Sequence, residues 1–367
     1  MSRADAPWYR SPTILGKDVG GLLLYYPGAY LLSRMPRGAL RSASTLGGEV
    51  MLKLQGADRS ELRDELDKLF GPNGTPTPEQ EILRRAFHSG MFNELEILRY
   101  PYLDEQTIDD VCVVEGREHL DAALERGKGA IVLIGHFGAN QMIMPALGYK
   151  GYQMNQLSAP PPVWGDILLE SRTTQLWNRI LERRWELEQR LPVQHINVFK
   201  FLRPAYECLE RNEVLGLAFD GGGGQRWTQV KLLNRTANIS VQPAQLWRRT
   251  DAALLPTVVI REPGQKRHRI IIEAPLEWQP RKKREEAWQI NLQAFADRFA
   301  PWVAKYPDHY IHFMLGRRRV RGTDVMPFFD DYPALEGVAQ MDAEEASKHL
   351  RAAGAQYRGE DASVDDA

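Results

Sequence analysis

The chain has 367 residues, of which 43% are hydrophobic and 26% are charged, and its formal net charge is −1. This composition is typical of a globular protein, and the near-neutral charge argues against a uniformly basic nucleic-acid binder. Cys112 and Cys208 are the only cysteines and lack metal-ligand spacing, so the sequence predicts no disulfide framework and fits a reducing compartment.

The longest apolar run near the start of the sequence covers residues 19–33, between Asp18 and Arg34. It is too short to span a bilayer comfortably, and Pro27 with Gly28 is predicted to break a helix in its middle. The segment also lacks the cleavage site expected of a signal peptide. Two interpretations stay open: an interfacial segment with tyrosines and flanking arginines at a membrane surface, or a buried helical hairpin.

Helical periodicity follows in residues 58–70, where leucines at every third or fourth position share one face. Glycines and prolines then break the pattern. Thr77 followed by Pro78 predicts the cap and the first residue of another helix, which continues to residue 98. The first part of the chain is therefore predicted to form a helical layer.

From about residue 111 the sequence alternates apolar segments with amphipathic ones. The predicted strands are residues 111–114, 131–134, 153–157, 214–219, 254–260 and 269–272. The predicted helices are residues 120–126, residues 166–188 and a segment through Ala205 and Leu209. This alternation predicts an α/β fold with a mostly parallel central sheet flanked by helices. We expect an N-terminal interfacial and helical segment over residues 1–80, one α/β domain over 81–322, and an acidic, partly disordered tail over 323–367.

The apolar run from Ile131 to Ile134 ends in His136, which stands between Gly135 and Gly138. A run that is apolar on both faces is typical of a central strand. His136 would then lie at the carboxyl end of that strand, where open α/β sheets bind their ligands. A histidine with a purely structural role in the turn after the strand is the alternative.

The segment Gly-His-Phe-Gly-Ala-Asn-Gln, residues 135–141, resembles the His-x4-Asp/Glu block of the glycerolipid acyltransferase superfamily. Gln141 occupies the position of the block's carboxylate. Further segments resemble the lipid A lauroyl/myristoyl acyltransferase branch of that superfamily in the same order along the chain: residues 114–120, 124–129, 209–220, 302–310 and 317–319.

This resemblance implies a glycerolipid acyltransferase-like fold and transfer of an acyl group from an acyl carrier protein or coenzyme A thioester. The acceptor would be a hydroxyl of a lipid or glycolipid at the cytoplasmic face of the inner membrane, and no resident cofactor is expected. His136 would act as the base. Gln141 can accept a hydrogen bond from the imidazole but supplies no charge. Asp220, which ends a predicted strand, is therefore the candidate for the missing carboxylate, with a simple turn residue as the alternative.

Candidate substrate contacts lie around these residues. Gly138 belongs to the histidine block, and Gly221 and Gly222 begin a four-glycine run whose backbone N–H groups can approach a phosphate. Arg235 is a candidate phosphate ligand. A flexible glycine loop and an ordinary surface arginine are the alternatives. The spacing of His309 and His312 alone does not predict a metal site.

Two functions from different classes remain at this stage. The first is the acyltransferase, and the second is a catalytically inactive, acyltransferase-like lipid-binding protein. Gln141 favours the second, whereas His136 within its glycines favours the first. Basic clusters at residues 266–269, 281–284 and 317–319 fit an anionic membrane surface and peripheral attachment. No recognised nucleic-acid-binding module accompanies them.

Overall fold

The computed structural model describes residues 12–54, 56–158, 175–198, 202–222, 224, 226–318 and 326–332. The predicted acidic tail beyond residue 332, the start of the helix predicted over 166–188, and Gly223 lie outside the described residues.

Helices cover most of the N-terminal part and both faces of a central sheet. The N-terminal helices are α1 (Pro12–Leu23), α2 (Ala29–Ser33), α3 (Arg37–Leu54), α4 (Gly56–Phe70) and α5 (Glu79–Ile97). Those that follow are α6 (Ile108–Val111), α7 (Arg117–Glu125), α8 (Ile143–Gly148), α9 (Gln175–Glu188), α10 (Arg203–Glu210), α11 (Gln242–Thr250), α12 (Arg284–Lys305) and α13 (Ile311–Arg318).

The central sheet has seven strands in the order β1-β9-β8-β2-β5-β3-β4. Its strands are β1 (Cys112–Glu115), β2 (Ala130–Ile134), β3 (Met154–Ser158), β4 (Val193–Asn197), β5 (Val214–Ala218), β8 (Ala253–Ile260) and β9 (His268–Ile272). Neighbours pair in parallel except β8 and β9. Strands β6 (Trp227–Leu232) and β7 (Arg235–Ser240) form a separate antiparallel hairpin. The predicted α/β fold with a mostly parallel sheet is confirmed.

Strand β2 is the middle strand of the sheet, and all five of its residues are buried. Ile131 and Leu133 belong to one apolar core, together with aromatic residues of α12. The alternate residues Ala130, Val132 and Ile134 belong to a second core, with residues of α3 and α5. A strand covered on both faces needs apolar residues at every position, which is why its sequence shows no polar alternation.

The prediction that Pro27 breaks a helix was wrong. The chain remains helical from α1 into α2, because residues Leu24–Gly28 form a π-helical turn that contains Pro27. Proline has no backbone N–H to donate within a regular α-helix. A π-helical turn is one way in which a helix accommodates such a residue. No helix within the described part of the chain has both the length and the apolar character needed to cross a membrane.

Several other elements differ from the sequence prediction. The helix predicted to begin at Pro78 begins at Glu79, with Pro78 at the capping position. The sequence analysis did not predict β4, the β6–β7 hairpin, α11 or α12. Strand β4 carries Gln194 and Asn197 and lies at the sheet edge, where polar residues obscure the apolar pattern of a strand.

A buried ion pair joins the N-terminal helices to the α/β domain. Glu65 of α4 contacts Arg235 of β7, and both side chains are almost completely buried. Arg235 also pairs with Asp331, and Arg318 contacts Glu65 at 3.0 Å. Helix α4, the hairpin and the end of the described chain are therefore held by one network of charges.

Replacing Arg235 by alanine should lower the free energy of unfolding by about 3 kcal/mol, because Glu65 would lose its main buried counter-charge. Urea denaturation followed by circular dichroism measures the change. Arg203→Ala is the matched control, since Arg203 pairs with Glu207 on the surface with 85% of its side chain exposed. Its effect should stay below about 1 kcal/mol. Equal effects of both substitutions would contradict the prediction.

Candidate active site

His136 and Asp220 lie side by side because β2 and β5 are neighbouring parallel strands. The two strands pair from Ala130 with Val214 to Ile134 with Ala218. Just beyond this pairing, the backbone N–H of Phe219 donates to the carbonyl oxygen of Ile134 at 2.8 Å. His136 and Asp220 therefore follow their strands at the carboxyl edge of the sheet, where the sequence analysis expected a site.

The carboxylate of Asp220 is fully buried and contacts His136 twice. Its Oδ1 lies 2.6 Å from His136 Nδ1, and its Oδ2 accepts the backbone N–H of His136 at 2.8 Å. The hydroxyl of Tyr310 donates to the same Oδ2 at 2.9 Å. A buried carboxylate needs such donors to remain charged. These contacts fix the position of both the carboxylate and the imidazole.

Residues near the C-terminal end of the described chain complete this arrangement. Phe313 stacks on the His136 ring, with 4.6 Å between ring centroids and 2° between ring planes. Arg317 donates from Nη1 to the carbonyl oxygen of Asp220 at 3.2 Å. Burial and the adjacent Asp220 raise the pKa of Tyr310 well above its usual range. Tyr310 therefore keeps its proton and remains a donor to Asp220 at neutral pH.

The sequence analysis did not assign Tyr310, Phe313 or Arg317 to the site. Residues 302–310 and 317–319 resemble segments of the lipid A lauroyl/myristoyl acyltransferase branch, and that resemblance was the available signal. Side-chain contacts to His136 and Asp220 could not be derived from that similarity.

This geometry selects one tautomer of a neutral His136. Because a carboxylate only accepts hydrogen bonds, Nδ1 must carry the proton in the contact with Asp220. The lone pair then lies on Nε2, for which the described residues provide no hydrogen-bond partner. The His136 side chain is 41% exposed. The arrangement can remove a proton from a hydroxyl and stabilise the resulting imidazolium through the Asp220 charge.

Gly138 is required by the backbone of the loop that carries His136. Its φ angle is +61°, and a Cβ at this position would lie 2.1 Å from the carbonyl oxygen of Val259. Its N–H donates to the carbonyl of His309 at 2.8 Å, and its carbonyl accepts from Asn93 Nδ2 at 3.1 Å. Close packing between the loop, β8 and α5 therefore explains Gly138 without a substrate contact.

No hydrogen bond joins Gln141 to His136 in the part of the chain that the structure describes. Its Oε1 accepts from Arg184 Nη2 at 3.1 Å, and its Nε2 lies 3.4 Å from Glu188 Oε1. Arg184 also pairs with Glu94 at 2.9 Å. Burial raises the pKa of Glu188, although Arg184 opposes this effect. Gln141 thus belongs to a second polar network, which borders a cavity of about 200 Å³ between α5 and the histidine loop.

Arg235 lies away from any open site. Its guanidinium is 2% exposed, pairs with Glu65 and Asp331, and stacks over Phe329 at 3.7 Å. These partners occupy its donors and leave no free face for a phosphate, which corrects the expectation of a phosphate ligand.

The remaining candidates have less specific surroundings. Gly221 and Gly222 directly follow Asp220; Gly221 is partly exposed, whereas Gly222 is buried. His309 pairs with Asp308 at 2.8 Å, and His312 packs edge-on against Phe87. Within the described ranges, no group of at least three His, Cys, Asp or Glu side chains has an arrangement that could hold a metal ion.

Comparison with known families agrees with this architecture. The model of the bacterial lipid A biosynthesis acyltransferase family matches residues 11–318. No curated protein gives a significant match to the chain. The match includes the N-terminal helices, the histidine loop, Asp220 and α13. Because it covers most of the chain, this protein belongs to the bacterial lipid A biosynthesis acyltransferase family.

Proposed function

We propose that this protein transfers a fatty acyl group from an acyl carrier protein or coenzyme A thioester to a hydroxyl of a lipid or glycolipid, at the cytoplasmic face of the inner membrane. The hydrogen-bonded pair of His136 and Asp220 is the observation that carries the proposal. Family membership supports acyl transfer, and the pair supports a base at the site.

In the proposed reaction, His136 Nε2 takes the proton of the acceptor hydroxyl as its oxygen attacks the thioester carbonyl carbon. An ester C–O bond forms, the C–S bond breaks, and the imidazolium returns the proton to the leaving thiolate. Asp220 holds the required tautomer and stabilises the imidazolium, whereas Tyr310 and Phe313 position the two side chains. Phe313 also covers one face of the His136 ring. Excluding water there strengthens the hydrogen bonds between His136 and Asp220.

The inactive lipid-binding protein is less well supported than the enzyme. It was favoured because Gln141 supplies no charge at the position of the family carboxylate. Asp220 places a carboxylate 2.6 Å from His136 Nδ1, so the charge needed beside the imidazole does not have to come from residue 141. A site that only bound lipid would not require this pair.

Attachment to the membrane is supported by the distribution of exposed apolar side chains. Among the described residues, large exposed hydrophobic side chains lie in α1, the π-helical turn, α2 and α3, apart from Tyr102. We refer to these side chains together as the exposed apolar surface of the N-terminal helices: Val19, Leu23, Tyr26, Tyr30, Leu31, Leu46, Val50 and Leu54. Apolar side chains with neighbouring arginines suit the boundary between headgroups and acyl chains.

His136→Ala should abolish transfer, because no other described group takes the place of Nε2. Asp220→Asn should lower turnover by about 10²- to 10⁴-fold, as amides do in place of the orienting acid of a histidine. Turnover with one acyl thioester donor and one lipid acceptor measures both effects, and the melting temperatures identify unfolded variants. An active protein in which folded Asp220→Asn retains full turnover would exclude the assigned role of Asp220.

Gln141→Glu should change turnover little. The new carboxylate would lie in the network of Arg184 and Glu188 rather than beside His136, and Arg184 already has carboxylate partners. The same turnover assay provides the measurement, with Gln141→Ala as the control for loss of the side chain. A wild-type protein without transfer that gains it through Gln141→Glu would identify an inactive member of the family.

The double substitution Leu23→Asp and Tyr30→Asp should weaken sedimentation with vesicles of phosphatidylethanolamine and phosphatidylglycerol, because both side chains are more than half exposed on the N-terminal helices. Gln194→Glu with Gln289→Glu adds the same charge elsewhere on the surface and should sediment as the wild type does. High salt should release part of the bound wild-type protein by screening surface charges. Unchanged sedimentation of the Leu23 and Tyr30 variant would rule out this attachment surface.

A further inference from the structure

Arg37, Arg41 and Arg261 gather where α3 meets the loop between β8 and β9, and we call them the arginine cluster. Arg41 Nη1 donates to the carbonyl oxygen of Gly264 in that loop at 3.1 Å. The pKa of Arg261 is lowered to about 10. Burial is the main cause, and the positive charges of Arg41 and Arg37 act in the same direction, whereas the negative charge of Glu96 opposes them. Arg37 and Arg41 therefore act on the Arg261 guanidinium as like charges.

Acidic groups around the cluster do not balance its charge. Glu96 pairs with Arg37 at 2.6 Å and also contacts His268, whose pKa is lowered by burial so that it stays neutral. Asp308, which contacts His309, also acts on Arg261 as an opposite charge, so two carboxylates face three guanidinium groups. Arg41 donates to backbone carbonyls rather than to a carboxylate. The first turn of α3, which begins at Arg37, contains no acidic residue, so the helix dipole adds to the positive potential.

Arg261 has no hydrogen-bond acceptor for its guanidinium among the described residues. The group lies over the ring of Phe92, 3.9 Å from its centroid, and the residue is partly exposed. A guanidinium presents its N–H donors in a planar fork that matches two oxygens of a phosphate. The partly buried fork therefore offers unused donors in a region of excess positive charge.

The arginine cluster is connected to the loop that carries His136. The backbone N–H of Arg261 donates to His309 Nε2 at 3.1 Å, and the carbonyl of His309 accepts from Gly138 at 2.8 Å. On its other side, Arg37 follows α2 by a short turn, and α2 carries exposed Tyr30 and Leu31. A lipid held at the exposed apolar surface would present its headgroup to the cluster, beside the histidine loop.

We propose that the arginine cluster binds a phosphate of the acceptor lipid's headgroup, with Arg261 as the principal ligand, so that a hydroxyl of the same lipid reaches His136. The identification of this lipid as the acceptor rests on the proposed function. The phosphates of coenzyme A are the other source of the same chemistry. The apolar surface adjoining Arg37 favours the lipid.

Isothermal titration calorimetry of the full chain tests the site with soluble probes at constant ionic strength. The probes are dihexanoyl phosphatidic acid, the phosphate-free dihexanoylglycerol, and coenzyme A. Arg261→Gln removes the charge and the fork, and Arg261→Lys retains the charge alone. Lys266→Gln is the matched control, because Lys266 is an exposed cation in the same loop. Thermal unfolding of each variant accompanies the titrations.

We expect the wild type to bind the phosphatidic acid more tightly than the diacylglycerol. Arg261→Gln should weaken phosphatidic acid binding by about 10- to 100-fold, the range for hydrogen bonds to a charged group. Arg261→Lys should give an intermediate loss, and Lys266→Gln should match the wild type. If Arg261→Gln does not fold, the lysine variant decides the result, since it retains the charge over Phe92.

The proposal would be overturned if the folded Arg261 variants bound phosphatidic acid as tightly as the wild type does. A loss of affinity for coenzyme A with unchanged phosphatidic acid binding would also overturn it, because the phosphate would then belong to the donor. The binding result can be separated from a test of the proposed function, because binding requires no acyl transfer. His136→Ala should bind the phosphatidic acid as the wild type does. If the wild type is inactive but its binding depends on Arg261, the acyltransferase is refuted while the headgroup site is supported.

Discussion

The site depends on one buried negative charge. Asp220 has no exposed side-chain surface, so its carboxylate must be stabilised by the protein. Its donors come from distant parts of the sequence: the backbone and ring of His136 after β2, and the hydroxyl of Tyr310 after α12. Satisfying this one group therefore brings together two strand ends and the C-terminal helical segment. The geometry of the candidate site and folding are coupled, because the same contacts stabilise the carboxylate and orient the imidazole.

The presence of an amide rather than a carboxylate at residue 141 has a consistent electrostatic explanation. Arg184 is already paired with Glu94 and Glu188, and the Gln141 amide can both accept from Arg184 and lie beside Glu188. A carboxylate at this position would place a third negative charge around one guanidinium and would repel its neighbours. An amide avoids that repulsion and keeps the hydrogen bonds. Gln141 is therefore matched to its own network, in which no hydrogen bond to His136 occurs among the described residues.

Local patterns explain which parts of this molecule could be predicted from its sequence. The apolar run of β2 is continuous because both faces of the strand are covered, and the polar residues His136 and Asp220 mark the ends of two such runs. Their adjacency still required the pairing of β2 with β5, which no local pattern specifies. Arg235 looked like a surface arginine or a phosphate ligand, because its partners Glu65 and Asp331 are far away in sequence. Tyr310 was hidden for the same reason: its hydroxyl matters only through a contact made by the folded chain.

The N-terminal helices have a buried apolar face and an exposed apolar face, which the sequence pattern alone did not distinguish. Tyr25 and Leu40 are buried in the second core, whereas Tyr30 and Leu31 of the same helical layer are exposed. The layer therefore cannot be a detachable anchor: its inner face completes the core beneath β2, and only its outer face is free for a membrane.

Arg37 and Arg41 extend this layer towards the loop after β8, next to the loop of His136. An acceptor that stays in the membrane would then need to expose only its headgroup to meet the base, so its acyl chains would not have to be withdrawn into water. Such withdrawal costs about 0.8 kcal/mol for each methylene group, and a site at the edge of the proposed attachment surface would avoid that cost.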